Sequence, residues 1–225
     1  MLIDIPQLRE KVRVFKDRSD AGEKLAGILS DYKDSSAVIL ALPAGGVPVA
    51  AVMAEKLGLT LDVAVVSKIT LPWNSETGFG AVAFDGTVCL NEKMLEGLPL
   101  SSEQVRERIK LTREKVTSRL KKFRSDRELP DFLGKTVLLV DDGIASGFTM
   151  MTAVKATAKL GAKQIVIIVP TGHNESLAEI SKIATTIYCA NVRSGYSFAV
   201  ADAYEKWSDV SEDEAAEILR RFNRV

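Results

Sequence analysis

The chain has 225 residues, 46% of them hydrophobic and 27% charged, and its 30 Lys and Arg balance its 30 Asp and Glu. This composition is typical of a globular domain with a substantial core, and it excludes an intrinsically disordered chain. The balanced charge makes a nucleic-acid partner or an anionic membrane surface an unexpected target. No apolar run approaches the ~20 residues of a membrane span.

Neither the N-terminus nor the cysteines indicate export or a metal site. The first residues lack the apolar core of a signal peptide. Cys89 and Cys189 lie in apolar runs, where buried, reduced thiols are expected. No Cys/His cluster has the spacing of a zinc site. We therefore expect a cytoplasmic protein without structural zinc.

Strand-like and helix-like segments alternate along most of the chain. The predicted strands are Ala37–Leu42, Asp62–Ser67, Thr136–Val140, Gln164–Pro170 and Thr185–Ala190, and the predicted intervening helices are Gly46–Gly58, Thr149–Leu160 and Glu175–Ile183. Repeated β–α–β units predict an α/β fold, with a mainly parallel twisted sheet and helices on both faces. We expect one domain over residues 1–225.

Two segments interrupt this alternation. Lys68–Gly86 is rich in Pro, Gly and Asn, which predicts an irregular segment followed by a hairpin about Asp85–Gly86. Ser101–Arg127 predicts a long charged helix that begins with a capping box of Ser101 and Gln104. The mixed charge of this helix favours a solvated face, with a docking or nucleic-acid face as the alternative. A last helix is predicted to start near Ser211.

The stretch "TVLLVDDGIASGFT" combines two kinds of binding group. A predicted strand ends in Asp141 and Asp142, and a loop of small residues, Ile144–Thr149, leads into a helix. Backbone N–H groups of such a loop and the helix N-terminus suit a phosphate. The carboxylates repel phosphate and suit hydroxyls or Mg²⁺. A ribose 5-phosphate satisfies both, whereas the spacing fits neither a Walker A loop nor G-x-G-x-x-G.

These residues resemble the phosphoribosyl pyrophosphate (PRPP) signature of the type I phosphoribosyltransferases. The stretch "LPAGGVPVA" (Leu42–Ala50) resembles that family's pyrophosphate loop. Further stretches, within Lys16–Ala26, Ser67–Gly86 and Phe198–Glu214, resemble a bacterial and archaeal subgroup whose substrate is undefined. The resemblance covers roughly Phe15 to Leu219.

The resemblance implies a role for each part of the motif. Asp141 and Asp142 would hold the ribose hydroxyls, with a possible Mg²⁺ reached directly or through those hydroxyls and water. The loop residues that would wrap the 5-phosphate are Ala145, Ser146, Gly147, Phe148 and Thr149. Those that would offer N–H groups to pyrophosphate, across a non-proline cis peptide, are Ala44, Gly45 and Gly46. Lys68 would approach the pyrophosphate from the end of the next strand.

The resemblance also implies two movable covers for the site. Residues 68–90 would form the mobile loop and hairpin, with Leu71–Gly80 shielding the reacting centre, and residues 188–208 would form a hood over the acceptor. Glu76 could be an acid, a base or a Mg²⁺ contact, and a solvated carboxylate is an equal alternative.

For several other side chains, the sequence is compatible with either a functional or a structural role. His173 could line the site, although a structural or solvated role is favoured. Trp73 and Phe79 could stack on a base or pack in the core, and a core role is favoured for Tyr204 and Trp207.

The implied activity is transfer of phosphoribose from PRPP to a nitrogenous acceptor, with Mg²⁺ as cofactor, small-molecule substrates and a homodimer. The sequence departs from the subgroup at Ala44 and Ser67, where arginine is usual. Two cations are therefore missing beside a highly charged leaving group. The alternative functions are a non-catalytic sensor of PRPP or ribose phosphate, and hydrolytic or phosphorolytic handling of a nucleotide at the same site.

Overall fold

The structure, a computed structural model, describes residues 1–125 and 127–223. Its strands are β1 (Leu2–Ile3), β2 (Val38–Ala41), β3 (Thr60–Val63), β4 (Val66–Leu71), β5 (Asn74–Ala83), β6 (Val88–Leu90), β7 (Thr136–Val140), β8 (Gln164–His173) and β9 (Thr186–Arg193). Its α-helices are α1 (Arg18–Gly27), α2 (Gly46–Leu57), α3 (Glu92–Glu96), α4 (Ser102–Arg124), α5 (Phe148–Lys159), α6 (Asn174–Ile180) and α7 (Glu212–Phe222).

Six strands form one parallel sheet, in the order β1-β9-β8-β7-β2-β3. All four residues of β2 are buried, and since successive residues point to opposite faces, both faces of the sheet centre are covered. The predicted α/β fold is therefore confirmed. Ala41 pairs with Val140, so β2 and β7 end side by side and the loops that follow them are neighbours.

A smaller antiparallel sheet, β4-β5-β6, corrects the prediction for Asp62–Ser67 and for Lys68–Gly86. The apolar run of Asp62–Ser67 is divided between β3 and β4, with a break at residues 64 and 65. Most of Lys68–Gly86 is regular rather than irregular, because β4 and β5 pair through a hairpin whose exposed tip includes Trp73. The polar composition reflects the exposure of this tip rather than a lack of strand structure. The hairpin about Asp85–Gly86 is confirmed, and Gly86 has φ +84°.

The long charged helix exists as α4. Its capping box is confirmed, with mutual hydrogen bonds between Ser101 and Gln104. The helix ends at Arg124 rather than Arg127, since the next residue, Ser125, has φ +54°; residue 126 lies outside the described residues. Among those that are described, no helix is both long and apolar enough to cross a bilayer.

The C-terminal segment is divided between the sheet and a cover. Residues 188–193, which we assigned to a hood, belong to β9, because this strand pairs with β8 as far as Arg193. Only the part after Arg193 leaves the sheet. It forms a 3-10 turn at Val200–Ala203 and then a bridge from Tyr204 to Phe15. The N-terminal and C-terminal segments therefore meet beside the loop that follows β7.

Candidate functional site

The loop after β7 is fixed in place by β8. The Ile144 N–H donates to the Thr171 carbonyl at 3.0 Å, and the His173 N–H donates to the Ile144 carbonyl at 2.9 Å. A Cβ on Gly143 would lie 2.5 Å from Val200. The loop thus extends the pairing with β8 by one residue, Ile144. At Gly143, Val200 lies too close for a side chain to be accommodated.

The predicted phosphate loop presents unpaired backbone donors. Gly147 has φ +74° and precedes α5 without a side-chain cap. In residues 1–125 and 127–223, the N–H groups of Ala145 through Thr149 have no acceptor. The hydroxyls of Ser146 and Thr149 also lack a partner in this part of the chain. Free N–H groups at the positive end of a helix form a site for an anion such as a phosphate.

The acid pair lies just before that loop. The Asp142 N–H donates to Asp141 Oδ1 at 2.8 Å. Burial, followed by the negative charge of Asp142, raises the pKa of the Asp141 carboxyl well above its usual range. A ligand hydroxyl or a cation at this position would relieve the cost of the buried charge.

Arg18, which we did not assign a role, neutralises Asp142. Its Nε and Nη2 both lie 2.9 Å from Asp142 Oδ2, and its Nη1 donates to the Ser208 carbonyl at 2.8 Å. The guanidinium stacks 3.9 Å from the centre of the Trp207 ring. Arg18 is 124 positions from Asp142, so only the fold shows the pairing, although "KDRSDAGEKLA" was part of the resemblance.

Tyr204 also contacts the acid pair. Its hydroxyl donates to the Asp142 carbonyl at 2.6 Å, and burial, followed by the charge of Asp142, raises the pKa of the phenol. Tyr204 is 3% exposed and Trp207 is 37% exposed. The core role holds for Tyr204, while Trp207 lies at the surface under Arg18.

The "PAGG" loop after β2 packs directly on the acid pair. The Pro43–Ala44 peptide is cis, as the resemblance implied. A Cβ on Gly45 would lie 2.1 Å from Asp142 Oδ2, and one on Gly46 would lie 2.6 Å from the Val140 carbonyl. Only glycine allows this approach, so the loop and the acids form one surface.

The three residues of this loop do not offer three free donors. The Gly46 N–H donates to the Leu42 carbonyl at 3.0 Å. The N–H groups of Ala44 and Gly45 have no acceptor among the described residues. Two backbone donors, rather than three, are therefore available to a ligand here.

The structure does not bring Lys68 or Glu76 into contact with the acid pair. Lys68 is exposed on β4 and packs its carbon stem beside Gly78. Glu76 is exposed near the tip of the β4–β5 hairpin. Neither side chain has a polar partner in the described chain, so both are free to meet a ligand, and their roles stay predictions.

Of the two aromatic side chains in this hairpin, only one is accessible. Phe79 is fully buried and has a packing role, whereas Trp73 is 57% exposed.

Arg119 of α4 is a second residue that the sequence did not single out. Its Nη2 donates to the Pro43 carbonyl at 3.1 Å, and its Nη1 donates to the Ser67 hydroxyl at 3.1 Å and to the Val66 carbonyl at 2.9 Å. Its Nε pairs with Glu212 at 2.6 Å. No sequence signal separates Arg119 from the other cations of this helix.

An open cavity of about 480 Å³ adjoins the phosphate loop. It is lined by Ala145, His173, Glu175, Gly195, Tyr196 and Phe198. His173 Nε2 lies 3.1 Å from the Gly195 carbonyl, and the imidazole contacts the Phe198 ring edge-on at 5.5 Å. His173 therefore lines a cavity and also holds the segment after β9.

The described residues contain no group of three or more His, Cys, Asp or Glu side chains that could hold a metal ion. Asp141 and Asp142 provide two carboxyl groups, one of which is already paired with Arg18. This donor set fits a Mg²⁺ that is held mainly by a phosphorylated ligand, and it does not fit a resident metal with several protein ligands.

Comparisons with known proteins agree with this geometry. The family described as "Phosphoribosyl transferase domain" matches residues 16–203. Two Mycobacterium tuberculosis proteins provisionally named phosphoribosyl transferases, MT0597 and Rv0571c, are each 33% identical over 213 residues. That match covers 95% of this chain and 48% of each relative, so the chain spans about half the length of the curated relatives it matches.

A solved structure is also similar. TT1426 from Thermus thermophilus superposes with a TM-score of 0.75 at 30% identity, covering 92% of this chain and 98% of that one. The family match covers more than half of the chain and contains both loops and the acid pair. This chain belongs to the phosphoribosyl transferase domain family.

Proposed function

We propose that this chain is a pentosyltransferase that moves phosphoribose from PRPP to a nitrogenous acceptor and releases pyrophosphate. One observation carries the proposal: the "PAGG" loop, the acid pair and the phosphate loop meet at one edge of the sheet. There, Gly45 has no room for a side chain against Asp142. The phosphate loop would hold the 5-phosphate, the acids the ribose hydroxyls, and the "PAGG" loop the pyrophosphate.

The reaction would exchange one bond at C1 of the ribose. The C1–O bond breaks and its electron pair leaves with pyrophosphate, while the lone pair of the acceptor nitrogen forms the new bond to C1. A proton on that nitrogen, where there is one, passes to water or to a neighbouring base. The transition state resembles an oxocarbenium ion, as in other glycosyl transfers. Holding the ribose by its phosphate and hydroxyls reduces the entropic barrier to this step.

Mg²⁺, bound with PRPP, would neutralise charge on the pyrophosphate. In this chain, Asp141 and Asp142 would be the residues that meet it, directly or through the ribose hydroxyls. Lys68 is the exposed cation that the resemblance assigns to the same ligand.

The cavity beside Ala145 is the place we propose for the acceptor. It begins at the phosphate loop, and its lining combines the rings of His173 and Phe198 with polar groups. A flat ring with nitrogen donors and acceptors, such as a nucleobase, fits such a lining. We further propose a homodimer in the cytoplasm that requires neither nucleic acid nor a membrane.

A non-catalytic sensor is the second candidate, and Ala44 favours it because the loop that would bind pyrophosphate lacks a cation of its own. Two measurements separate the candidates. Thermal shifts with PRPP and with ribose 5-phosphate, each with and without Mg²⁺, test the site, since a ligand at 100 times its Kd adds about 2.7 kcal/mol of stability. Pyrophosphate release from Mg-PRPP with a panel of nucleobases tests turnover. Binding without release would support the sensor, and no shift with either ligand would exclude both candidates.

A further inference from the structure

We infer that Arg119 is a positioning residue for the pyrophosphate side of the site, holding the "PAGG" loop and the start of β4 in one arrangement. This inference rests on the proposed function, because it assumes that the free N–H groups of Ala44 and Gly45 receive the pyrophosphate. It concerns a residue of the inserted helix α4, which lies outside both binding motifs.

The Arg119 side chain contacts two segments that are far from it in the sequence. The Arg119 guanidinium donates to the Pro43 carbonyl and to the Ser67 hydroxyl, both at 3.1 Å. Pro43 is 76 positions and Ser67 is 52 positions away in sequence. A single planar group thus joins the residue before Ala44 to the residue before Lys68.

These contacts fix a backbone donor that the ligand would use, the Ala44 N–H. The Pro43 carbonyl and the Ala44 N–H belong to the same peptide unit, which is planar. Holding the carbonyl oxygen therefore sets the direction of the N–H. Arg119 supplies the hydrogen-bond partner of this carbonyl.

The Arg119 side chain is itself fixed in position by an ion pair. Its side chain is 13% exposed, and Glu212, at the first position of α7, pairs with its Nε. Lys122 lies 3.7 Å from the same carboxylate. Glu212 balances part of the charge of Arg119. Arg119 would therefore affect binding by orienting the "PAGG" loop more than by attracting the pyrophosphate electrostatically. Four of the five guanidinium N–H groups have acceptors in the described chain.

Neither of the two segments that Arg119 joins has a cation at the position where the subgroup usually has arginine. Ala44 follows Pro43, and Ser67 precedes Lys68; at Ala44 and Ser67 the sequence has no cation. The small side chains leave room for a guanidinium that arrives from α4. The inserted helix α4 would therefore contribute a residue to the site.

The test compares two ligands that differ only by the pyrophosphate. We expect Arg119→Gln to weaken Mg-PRPP binding about 10- to 100-fold, the effect of losing a charge-assisted hydrogen bond at a binding group. Affinity for ribose 5-phosphate should stay within about threefold, because the acceptors of Arg119 include neither the acids nor any residue of the phosphate loop. Titration calorimetry of both ligands measures the ratio. Arg119→Lys should lie between, since a single ammonium cannot reach all four acceptors of the planar guanidinium.

Arg113→Gln is the matched control, because Arg113 is an exposed arginine of the same helix without a side-chain partner among the described residues. It should leave both affinities unchanged. Equal loss of both ligands in Arg119→Gln, or no loss of PRPP, would overturn the inference alone. A wild-type protein that binds PRPP no more tightly than ribose 5-phosphate would instead overturn the proposed pyrophosphate site, and the inference with it. If Arg119→Gln does not fold, the ligand ratio in Arg119→Lys decides.

Discussion

The two halves of the proposed site are built in different ways. On the sugar-phosphate side, Asp141 to Thr149 form one continuous stretch that runs from the end of β7 into the first turn of α5. On the pyrophosphate side, the loop at Pro43 to Gly46 is short, and its Pro43 carbonyl accepts a hydrogen bond from Arg119, 76 positions away. Both halves would bind through backbone N–H groups. The difference lies in what holds those groups, which is the local order of the chain on the sugar-phosphate side and a contact that depends on how the chain packs on the pyrophosphate side.

The halves also differ in how their charges are satisfied. Asp142 on the sugar side already has Arg18 as its partner, while Asp141 has a raised pKa because of burial and its neighbour. On the sugar side, ionised Asp141 is therefore energetically unfavourable, and a bound hydroxyl or cation would reduce that cost. The "PAGG" loop on the pyrophosphate side contains no acidic residue, and its Ala44 and Gly45 N–H groups have no acceptor in the part of the chain that the structure describes.

The largest expected effect is that of Asp142→Asn on the sugar side. The substitution removes the carboxylate that would accept ribose hydroxyls and leaves Arg18 without its ion partner. We expect affinity for PRPP and for ribose 5-phosphate to fall together, by roughly 100-fold or more, as measured by calorimetry. Asp31→Asn, at an exposed position, serves as the control. An unchanged affinity for ribose 5-phosphate would show that Asp142 does not read the sugar.

Gly147→Ala should have the next largest effect. Gly147 has φ +74°, and a Cβ would lie 2.7 Å from Ile180. A left-handed alanine costs about 1–2 kcal/mol, and the loop would move to avoid that cost. Because the moved loop would no longer present its N–H groups correctly, we expect the affinity for PRPP and for ribose 5-phosphate to fall about 10-fold or more. Gly86→Ala is the matched control, with φ +84° and open space around the Cβ. Both variants should lose stability, but only Gly147→Ala should lose affinity.

Asp141→Asn should stabilise the free protein while weakening ligand binding. The pKa of Asp141 is raised in the folded state above the usual value of about 3.9 in the unfolded chain. Its charge therefore reduces stability as pH rises above about 4, and this cost is absent at lower pH. We expect the Tm of the variant to exceed that of the wild type at pH 7, with a gain that disappears toward pH 4. A gain that is the same at both values of pH would mean that the acid is not the cause.

The smallest effect is expected for Trp207→Ala. Trp207 lies 3.9 Å from the Arg18 guanidinium, and such a contact is worth about 0.5–1 kcal/mol at an exposed site. Affinity for ribose 5-phosphate should fall about two- to fivefold through a less ordered Arg18. Trp207→Phe keeps an aromatic face and should retain most of the affinity. If the two variants lose affinity equally, the ring face is not what orders Arg18.

Local signals accounted for most of the fold. The buried strands β2, β7 and β8 were predicted because continuous apolar runs are typical of the centre of a parallel sheet. The Ser101 capping box was predicted because its hydrogen bonds join residues three apart. The β4–β5 hairpin was missed, since its polar tip resembles a loop when its strand pairing is unknown. The two-residue strand β1 exists only because β9 is beside it.

The sequence by itself was enough to predict the sugar-phosphate half of the proposed site. The acids, the small loop residues and the helix that follows are adjacent in the chain, and their chemistry follows from their order. Only the tertiary structure decided that Arg18 pairs with Asp142 and that Arg119 reaches Pro43. The reason is physical: a guanidinium on a long side chain can serve any segment that packs against it, so its partners are set by the packing of helices on the sheet and not by its neighbours in sequence.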